Sequence, residues 1–146
     1  MLSYKIIRPI LILRLIMIKF YVQADSAFVV LYAWNSANNE YQVLIGHDRF
    51  LDRDYWNLLG GAVDYNETPA QAACREVYEE SVRWYGSDPK NNLKGKYCPF
   101  SPSDLKDYFC FKTYYKGKTD QHHLYFKEVN YIDPQRITDS LAQEID

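Results

Sequence analysis

The sequence predicts a mixed α+β domain organised around one sheet. Three observations carry that reading. Two β-branched and aromatic runs stand before the middle of the chain, one strongly signalled helix follows them, and two more strand-like runs come after it. Strands, one helix and further strands make an α+β arrangement rather than a bundle or an all-β sandwich.

The N-terminal stretch Ile6–Ile18 is apolar, but Arg8, Pro9 and Arg14 interrupt it. It is too short and too charged to span a membrane. Three readings stand for it. Ile10–Ile18 can be a first strand. The residues before Met17 can be a dispensable extension. Lys5 and Arg8 followed by apolar residues are also signal-like, with Ala24–Asp25–Ser26–Ala27 as a poor cleavage site. The chain is therefore divided into an apolar segment, 1–22, and a domain, 23–146.

Ser26–Trp34 is a buried-strand pattern, Asn35–Asn39 a turn cluster and Tyr41–Ile45 a second strand, so the two form a hairpin. His47–Tyr55 reads as a loop, and Trp56–Leu59 as a short strand running into Gly60–Gly61. The helix signal is the strongest in the chain. Thr68 caps the first amides, Pro69 suits the first helical position, and Gln71 completes a capping box. The helix should run from Pro69 to about Ser81, with Ala73 and Val77 facing the core.

Trp84–Lys106 is a long connection rich in Gly, Pro, Ser, Asn and Lys, the kind of loop that often carries function. Tyr108–Tyr115 is a strand and Lys116–Asp120 a turn. His122–Val129 is a strand antiparallel to the previous one, and Ile132–Asp146 reads as a loop leading into the start of a helix.

At 146 residues with 47% apolar content and 14 Tyr, the chain is one domain with a real core. A net charge of −2 gives no basic field for nucleic acid and no acidic tail. Cys74, Cys98 and Cys110 are odd in number and contain no C-x-x-C pair. That disfavours disulfides and zinc and fits a reducing, cytosolic setting.

The chemistry sits on the helix. Glu76, Glu79 and Glu80 lie at i, i+3 and i+4 and share one face. Such a triplet taken alone is more often a solvated acidic face. Yet three neighbouring carboxylates repel one another, and a hard divalent cation, Mg²⁺ or Mn²⁺, removes that repulsion. Gly60 and Gly61 just upstream let the backbone approach a ligand closely.

The segment Gly61–Arg83, GAVDYNETPAQAACREVYEESVR, resembles the Nudix box, G-x5-E-x7-R-E-U-x-E-E-x-G-U, with U a bulky aliphatic residue. Gly61, Glu67, Arg75, Glu76, Val77, Glu79 and Glu80 fall in register, seven of nine fixed positions. Val82 stands where the family has Gly, and Arg83 where it has an aliphatic residue. Val82 is a poor candidate for a left-handed helix exit, so the exit should differ. Leu59 also replaces a Pro common in the family. The resemblance covers about residues 24–130 and is diagnostic over 56–83.

The resemblance implies an α/β/α sandwich with a mixed sheet, a catalytic helix at about 69–81 and a second long helix near the C-terminus. Here the chain stops at Asp146, where that helix would be starting, so the helix reads as truncated. It also implies Mg²⁺-dependent (or Mn²⁺-dependent) hydrolysis of a diphosphate linkage in a nucleoside diphosphate joined to another moiety. Nucleotide sugars, ADP-ribose, dinucleoside polyphosphates and nucleoside triphosphates are the substrate classes. Glu76, Glu79 and Glu80 would hold the metal with the Gly60 carbonyl. Glu76 would lie nearest the attacking water, Glu67 would orient loop or water, and Arg75 would position the carboxylates.

The general base in this family often lies on a later loop, and Asp120, His122, His123 and Glu128 are candidates. For adjacent His122 and His123, one inward and one outward ring is the commoner outcome on a strand. Arg49, Arg53, Lys90, Lys94 and Lys96 can meet phosphates, and Gly61 lies where a substrate would pass. Trp56, Trp84 and Tyr97 can stack on a base, although such rings are more often core. The expected partner is a small nucleotide, with neither membrane nor nucleic acid beyond capped RNA. Oligomeric state is open, a homodimer included. Two alternatives remain: an RNA-cap hydrolase, which the weak net charge disfavours, and a non-catalytic Nudix-fold nucleotide-binding or regulatory module, which Val82, Arg83 and the C-terminal helix that reads as truncated favour and the complete carboxylate set opposes.

Overall fold

The computed structural model describes residues 3–7, 24–48 and 55–145. Arg49, Arg53 and the expected strand Ile10–Ile18 fall outside them. Nine strands are described: β1 (Ser3–Ile7), β2 (Ser26–Asn35), β3 (Glu40–Asp48), β4 (Tyr55–Asn57), β5 (Leu59–Ala62), β6 (Ser87–Asp88), β7 (Leu93–Lys94), β8 (Asp107–Tyr115) and β9 (Lys118–Glu128). Two helices, α1 (Pro69–Glu80) and α2 (Pro134–Ile145), complete the described architecture with a short 3-10 turn at Pro102–Asp104. The expected mixed-sheet α+β class is what the chain adopts.

Among the described residues the main sheet has seven strands in the order β1-β3-β2-β9-β8, with β4 on β3 and β5 on β2. Strand β2 is its axis. It pairs parallel with β9, from Ser26↔His122 to Tyr32↔Glu128, while its other edge takes β5 first and then β3, both antiparallel. A strand paired on both edges and covered on both faces should read as continuously apolar. The run Ala27–Leu31 is indeed buried throughout. Alternate residues feed two cores. Ala27, Val29 and Leu31 join the cluster under the helices, and Phe28 and Val30 join Val43, Ile45, Leu58 and Leu124 on the opposite face.

Strand β1, which the sequence did not signal, pairs antiparallel with β3. Long-range pairing also moved two expected boundaries. The Trp56–Leu59 strand is divided at Leu58, because β4 pairs with β3 whereas β5 pairs with β2. The 84–106 connection is anchored rather than loose. It carries the β6–β7 pair and sends Tyr85, Phe100 and Leu105 into the main core.

Helix α1 starts as its sequence dictates. The Thr68 hydroxyl accepts from the Gln71 amide at 3.2 Å, and the Gln71 side chain accepts from the Thr68 amide at 2.9 Å. Its inner face is Ala72, Ala73, Cys74 and Val77, all with no exposed surface. Burial pushes the Cys74 thiol up to about 12, so this cysteine behaves as a small hydrophobe.

The helix exit overturns the sequence expectation. Val82 and Arg83 both adopt left-handed backbone, at φ 54° and 65°, and the Arg83 amide donates to the Tyr78 carbonyl at 2.8 Å. That i to i−5 bond is the closure a glycine normally provides. A non-glycine residue in this region costs about 1–2 kcal/mol. Val82 offsets the cost by burial, since only 7% of it is exposed, and burying a Val side chain contributes about 1.5–3 kcal/mol.

Helix α2 spans twelve residues rather than a bare first turn. Ile137 is fully buried in the same core as Val77, which ties the C-terminal segment to α1.

Candidate active site

The site forms where β5, the loop after it and α1 meet. Gly60 comes so close to β2 that an added Cβ would lie 2.4 Å from the Ala27 carbonyl oxygen and 2.6 Å from the Phe28 Cα. Gly61 plays a different part. A Cβ there would lie 2.7 Å from the Glu76 carboxylate. The missing side chain is thus the space that Glu76 occupies.

Arg75 organises the rest. Its Nε and Nη2 donate to the two carboxylate oxygens of Glu67 at 3.1 and 2.7 Å. Nη1 donates to Glu76 at 2.9 Å and to Glu79 at 3.4 Å. Nη2 also donates to the Ala62 carbonyl at 3.2 Å and lies 3.4 Å from an Asp64 carboxylate oxygen. Glu67 in turn accepts from the Asp64 amide at 2.8 Å. One guanidinium therefore fastens the 62–67 loop to the helix, using the planar fork that Lys lacks.

The electrostatics follow from this clamp. Burial alone would raise the Glu67 carboxyl, but the Arg75 hydrogen bonds and the Asp64 amide outweigh it and hold the group below its ordinary range. The hydrogen bonds it donates to Glu67 push the Arg75 guanidinium up, against its own burial, and Glu76 adds to the effect. Glu79 is about half exposed, whereas Glu76 is mostly covered.

Glu76, Glu79 and Glu80 offer the hard oxygen donors that Mg²⁺ or Mn²⁺ prefers, on the α1 surface beside the Gly61 cradle. The donor chemistry fits such an ion. Among the described residues, however, no three acidic, His or Cys side chains are gathered closely enough to hold one. Arg75 accepts no metal but binds one carboxylate oxygen of Glu76 and one of Glu79, so it links these two glutamates directly.

A cavity of about 620 Å³ opens beside the clamp, lined by Tyr65, Asn66, Glu67, Gln71, Arg75 and Lys90 among others. Its size suits a nucleotide. Of these, Tyr65, Asn66 and Gln71 carry no site signal in the sequence, because their position against Lys90 exists only in the fold.

The remaining candidates scatter. Trp56 packs against the second core with Phe28 and Leu124. His122 and His123 face opposite sides of the sheet, yet both are buried, because both faces are covered; the expected outward ring is not in solvent. His122 makes two hydroxyl contacts, Nδ1 to Ser26 Oγ at 2.6 Å and Nε2 to Thr113 Oγ1 at 2.8 Å. His123 Nδ1 is 2.6 Å from the Tyr108 hydroxyl. Asp120 is buried on β9 near its start, and Glu128 is exposed near its end. Lys94 lines a separate cavity of about 410 Å³ with Phe100 and Ser101. Trp84, Lys96 and Tyr97 come together elsewhere, beyond the helix exit.

A seven-stranded mixed sheet carrying a glycine turn and a glutamate-rich helix locked by arginine defines a Nudix-type domain. The chain belongs to the Nudix family: the family model for the NUDIX domain matches residues 25–144, well beyond the diagnostic 56–83. The chemistry of that family is hydrolysis of diphosphate linkages, generally with a divalent metal ion. The chain is similar in fold to RenU, a Nudix hydrolase of M. smegmatis, with 20% identity and a TM-score of 0.53. That alignment covers 77% of this chain and 65% of RenU. The C. elegans Ap4A hydrolase aligns at 18% identity and a TM-score of 0.48, covering 75% of this chain and 70% of that one. The NUDIX domain of Shewanella oneidensis NrtR, complexed with ADP ribose, aligns at 16% identity and 0.49, covering 77% and 64%. No curated protein sequence matches the chain. Among the described residues, no helix is long and apolar enough to cross a membrane.

Proposed function

We propose that this chain hydrolyses the diphosphate linkage of a small nucleoside diphosphate joined to another moiety, with Mg²⁺ or Mn²⁺. The substrate class includes nucleotide sugars, ADP-ribose, dinucleoside polyphosphates and nucleoside triphosphates. One observation carries the reading: Glu67, Arg75, Glu76 and Glu79 form a single ion-paired cluster against Gly61, at the edge of a nucleotide-sized cavity.

Glu76, Glu79 and Glu80 would hold the ion, with the Gly60 carbonyl as a further oxygen donor. Bound there, it would supply Lewis acidity toward the phosphoryl oxygens and a lowered pKa for water. Arg75 and Glu67 do positional work, keeping the loop and the carboxylates registered on each other. Lys90, on the rim of the cavity, would meet a phosphate, and Tyr65, which is 90% exposed, would cover the base.

Both histidines are buried beside hydroxyl partners within the sheet, which favours a structural part for them over that of general base. Val82 and Arg83, two of the grounds for a non-catalytic module, count less toward it, because both adopt the left-handed exit that a glycine would give.

The test is a panel of diphosphate substrates with Mg²⁺, run on the parent chain, Glu79→Gln and Glu80→Gln. Turnover in the parent that chelation stops, and that falls by about 100-fold or more in both variants, supports the reading. Binding of nucleotides with no turnover of any substrate would overturn it in favour of a binding module. Release of a capped nucleotide from RNA, with free dinucleotides left intact, would move the substrate class to capped RNA.

A further inference from the structure

The cavity beside the Glu67–Arg75 cluster has a neighbour. The second cavity, of about 410 Å³, adjoins it across Asp88 and Pro89, which line both. Its volume falls within the range of small-molecule sites, about 300–1,000 Å³. The β6–β7 hairpin and the 99–104 segment supply its walls. Asp88, Lys94 and Asp104 bring charge to it, Ser87 and Ser101 bring hydroxyls, and Phe100 lines it with 3% of its surface exposed.

Short-range bonds hold these groups in place. Ser87 and Lys94 are cross-strand partners in the β6–β7 pair, so their side chains share a face. One Asp88 carboxylate oxygen accepts from the Asn91 amide at 3.3 Å and the other from the Asn91 side-chain nitrogen at 2.8 Å. One Asp104 oxygen accepts from the Ser101 amide at 2.8 Å and from the Ser101 hydroxyl at 3.0 Å, whereas the other has no donor among the described residues. A carboxylate offers about four acceptor positions, so both keep capacity for a ligand. Lys94 makes no ion pair among the described residues. The Ser87 hydroxyl is buried without a well-shaped hydrogen bond. Its polar neighbour is the Cys74 thiol, and a thiol is a weak partner. Buried hydroxyls are normally satisfied, so this one marks the wall as ready for a further polar group.

We propose that this cavity takes an uncharged, polyhydroxylated moiety on the far side of the diphosphate, so that the chain selects nucleoside diphosphate sugars among diphosphate substrates. The proposal rests on the hydrolase reading given above. With a phosphate at Lys90, the moiety beyond it crosses Pro89 and Asp88 into the second cavity. Asp88 and Asp104 there oppose a further phosphate, and Lys94 opposes a cationic group. A second nucleobase needs an open aromatic face, which the buried Phe100 ring does not give. A sugar hydroxyl both donates and accepts. It can donate to the Asp88 or Asp104 carboxylate and accept from the Lys94 ammonium.

The experiment measures equilibrium binding of ADP and of ADP-glucose to the full chain without divalent metal. The parent should bind ADP-glucose more tightly than ADP by about tenfold or more, and Lys94→Gln/Asp104→Asn should erase that advantage. Equal affinities in the parent, or an advantage that survives in a double variant of unchanged circular dichroism, would overturn the proposal. If the double variant fails to fold, amide shifts in the parent decide. Shifts within 87–104 that ADP-glucose produces and ADP does not would support the site, and shifts confined to 60–80 would overturn it. Turnover with Mg²⁺ is read separately. Hydrolysis of Ap4A with no binding preference for ADP-glucose keeps the hydrolase and overturns the sugar cavity. A binding preference with no turnover of any diphosphate keeps the cavity and overturns the hydrolase.

Discussion

The Arg75 guanidinium reaches back eight residues to both carboxylate oxygens of Glu67, at 2.7 and 3.1 Å. That fork joins the loop after β5 to the helix that carries the remaining glutamates. With the side chains of both partners mostly covered, the pair is neither a loose surface contact nor a dry one. Its value is geometric: it fixes which way the loop faces Glu76 and Glu79.

Replacing Arg75 with Lys should therefore leave the fold intact and harm turnover. A single ammonium cannot span Glu67, Glu76, Glu79 and the Ala62 carbonyl together. Loss of such a positioning partner typically costs about 10–100-fold in activity or metal affinity. Steady-state kinetics against Mg²⁺ concentration, with thermal melting as the folding control, measures it. An unchanged rate and metal requirement would remove Arg75 from the site.

Gly61→Ala tests the cradle. The added Cβ would lie 2.7 Å from the Glu76 carboxylate, which must swing away. A large drop in turnover is expected with a stability cost of about 1–3 kcal/mol. Chemical denaturation and the Mn²⁺ affinity of the variant report the two effects separately. Gly60→Ala should be worse for folding, because its Cβ would meet β2 backbone rather than a movable side chain.

The two left-handed residues at the α1 exit make a paired prediction. Arg83 is exposed, so Arg83→Gly relieves strain of about 1–2 kcal/mol against a cost of about 0.4–1 kcal/mol from the greater entropy glycine gives the unfolded chain. A net gain of about half to one kcal/mol is expected. Val82 has the same backbone but a buried side chain. Val82→Gly gives up about 1.5–3 kcal/mol of burial and should be neutral or destabilising. Urea midpoints of the two variants decide the matter, and equal shifts would contradict the account.

Stability should fall with pH through the histidine range. Burial lowers His122 and His123 below their ordinary value, although Asp25 raises both and Asp120 also raises His122; His123 itself adds to the lowering of His122. A base whose folded pKa is depressed binds more protons when unfolded. Its contribution is complete above the unfolded value, about 6.5, and is lost as pH drops through the folded value. The Glu67 carboxyl, also depressed, keeps its contribution across this window and loses it only as pH falls below the ordinary carboxylate value. Unfolding free energies at pH 7.5 and 5.5 should differ in the parent chain, and His122→Gln/His123→Gln should reduce that difference.

Local chemistry made some parts of the molecule readable in advance. Thr68, Pro69 and Gln71 form a capping box with contacts of short sequence range, and the α1 start follows them. The β2–β3 and β8–β9 hairpins obey the same logic, since each strand pairs with its neighbour in the chain. The register of Gly61, Glu67, Arg75, Glu76 and Glu79 was visible as a pattern of spacing.

Other features depended on partners distant in sequence. Leu58 divides two strands only because β3 and β2 compete for the segment. Val82 tolerates a glycine conformation only because the assembled core receives its side chain. His123 is buried only because the sheet is covered on both faces, and Lys96 and Arg136 line one cavity only through the docking of α2. The sequence by itself determined the helix, its cap and the carboxylate face, because those are fixed by bonds within a few residues. Tertiary structure alone decided the strand partners, the strained exit and which charges share a cavity, because burial and long-range pairing exist only once the chain has closed.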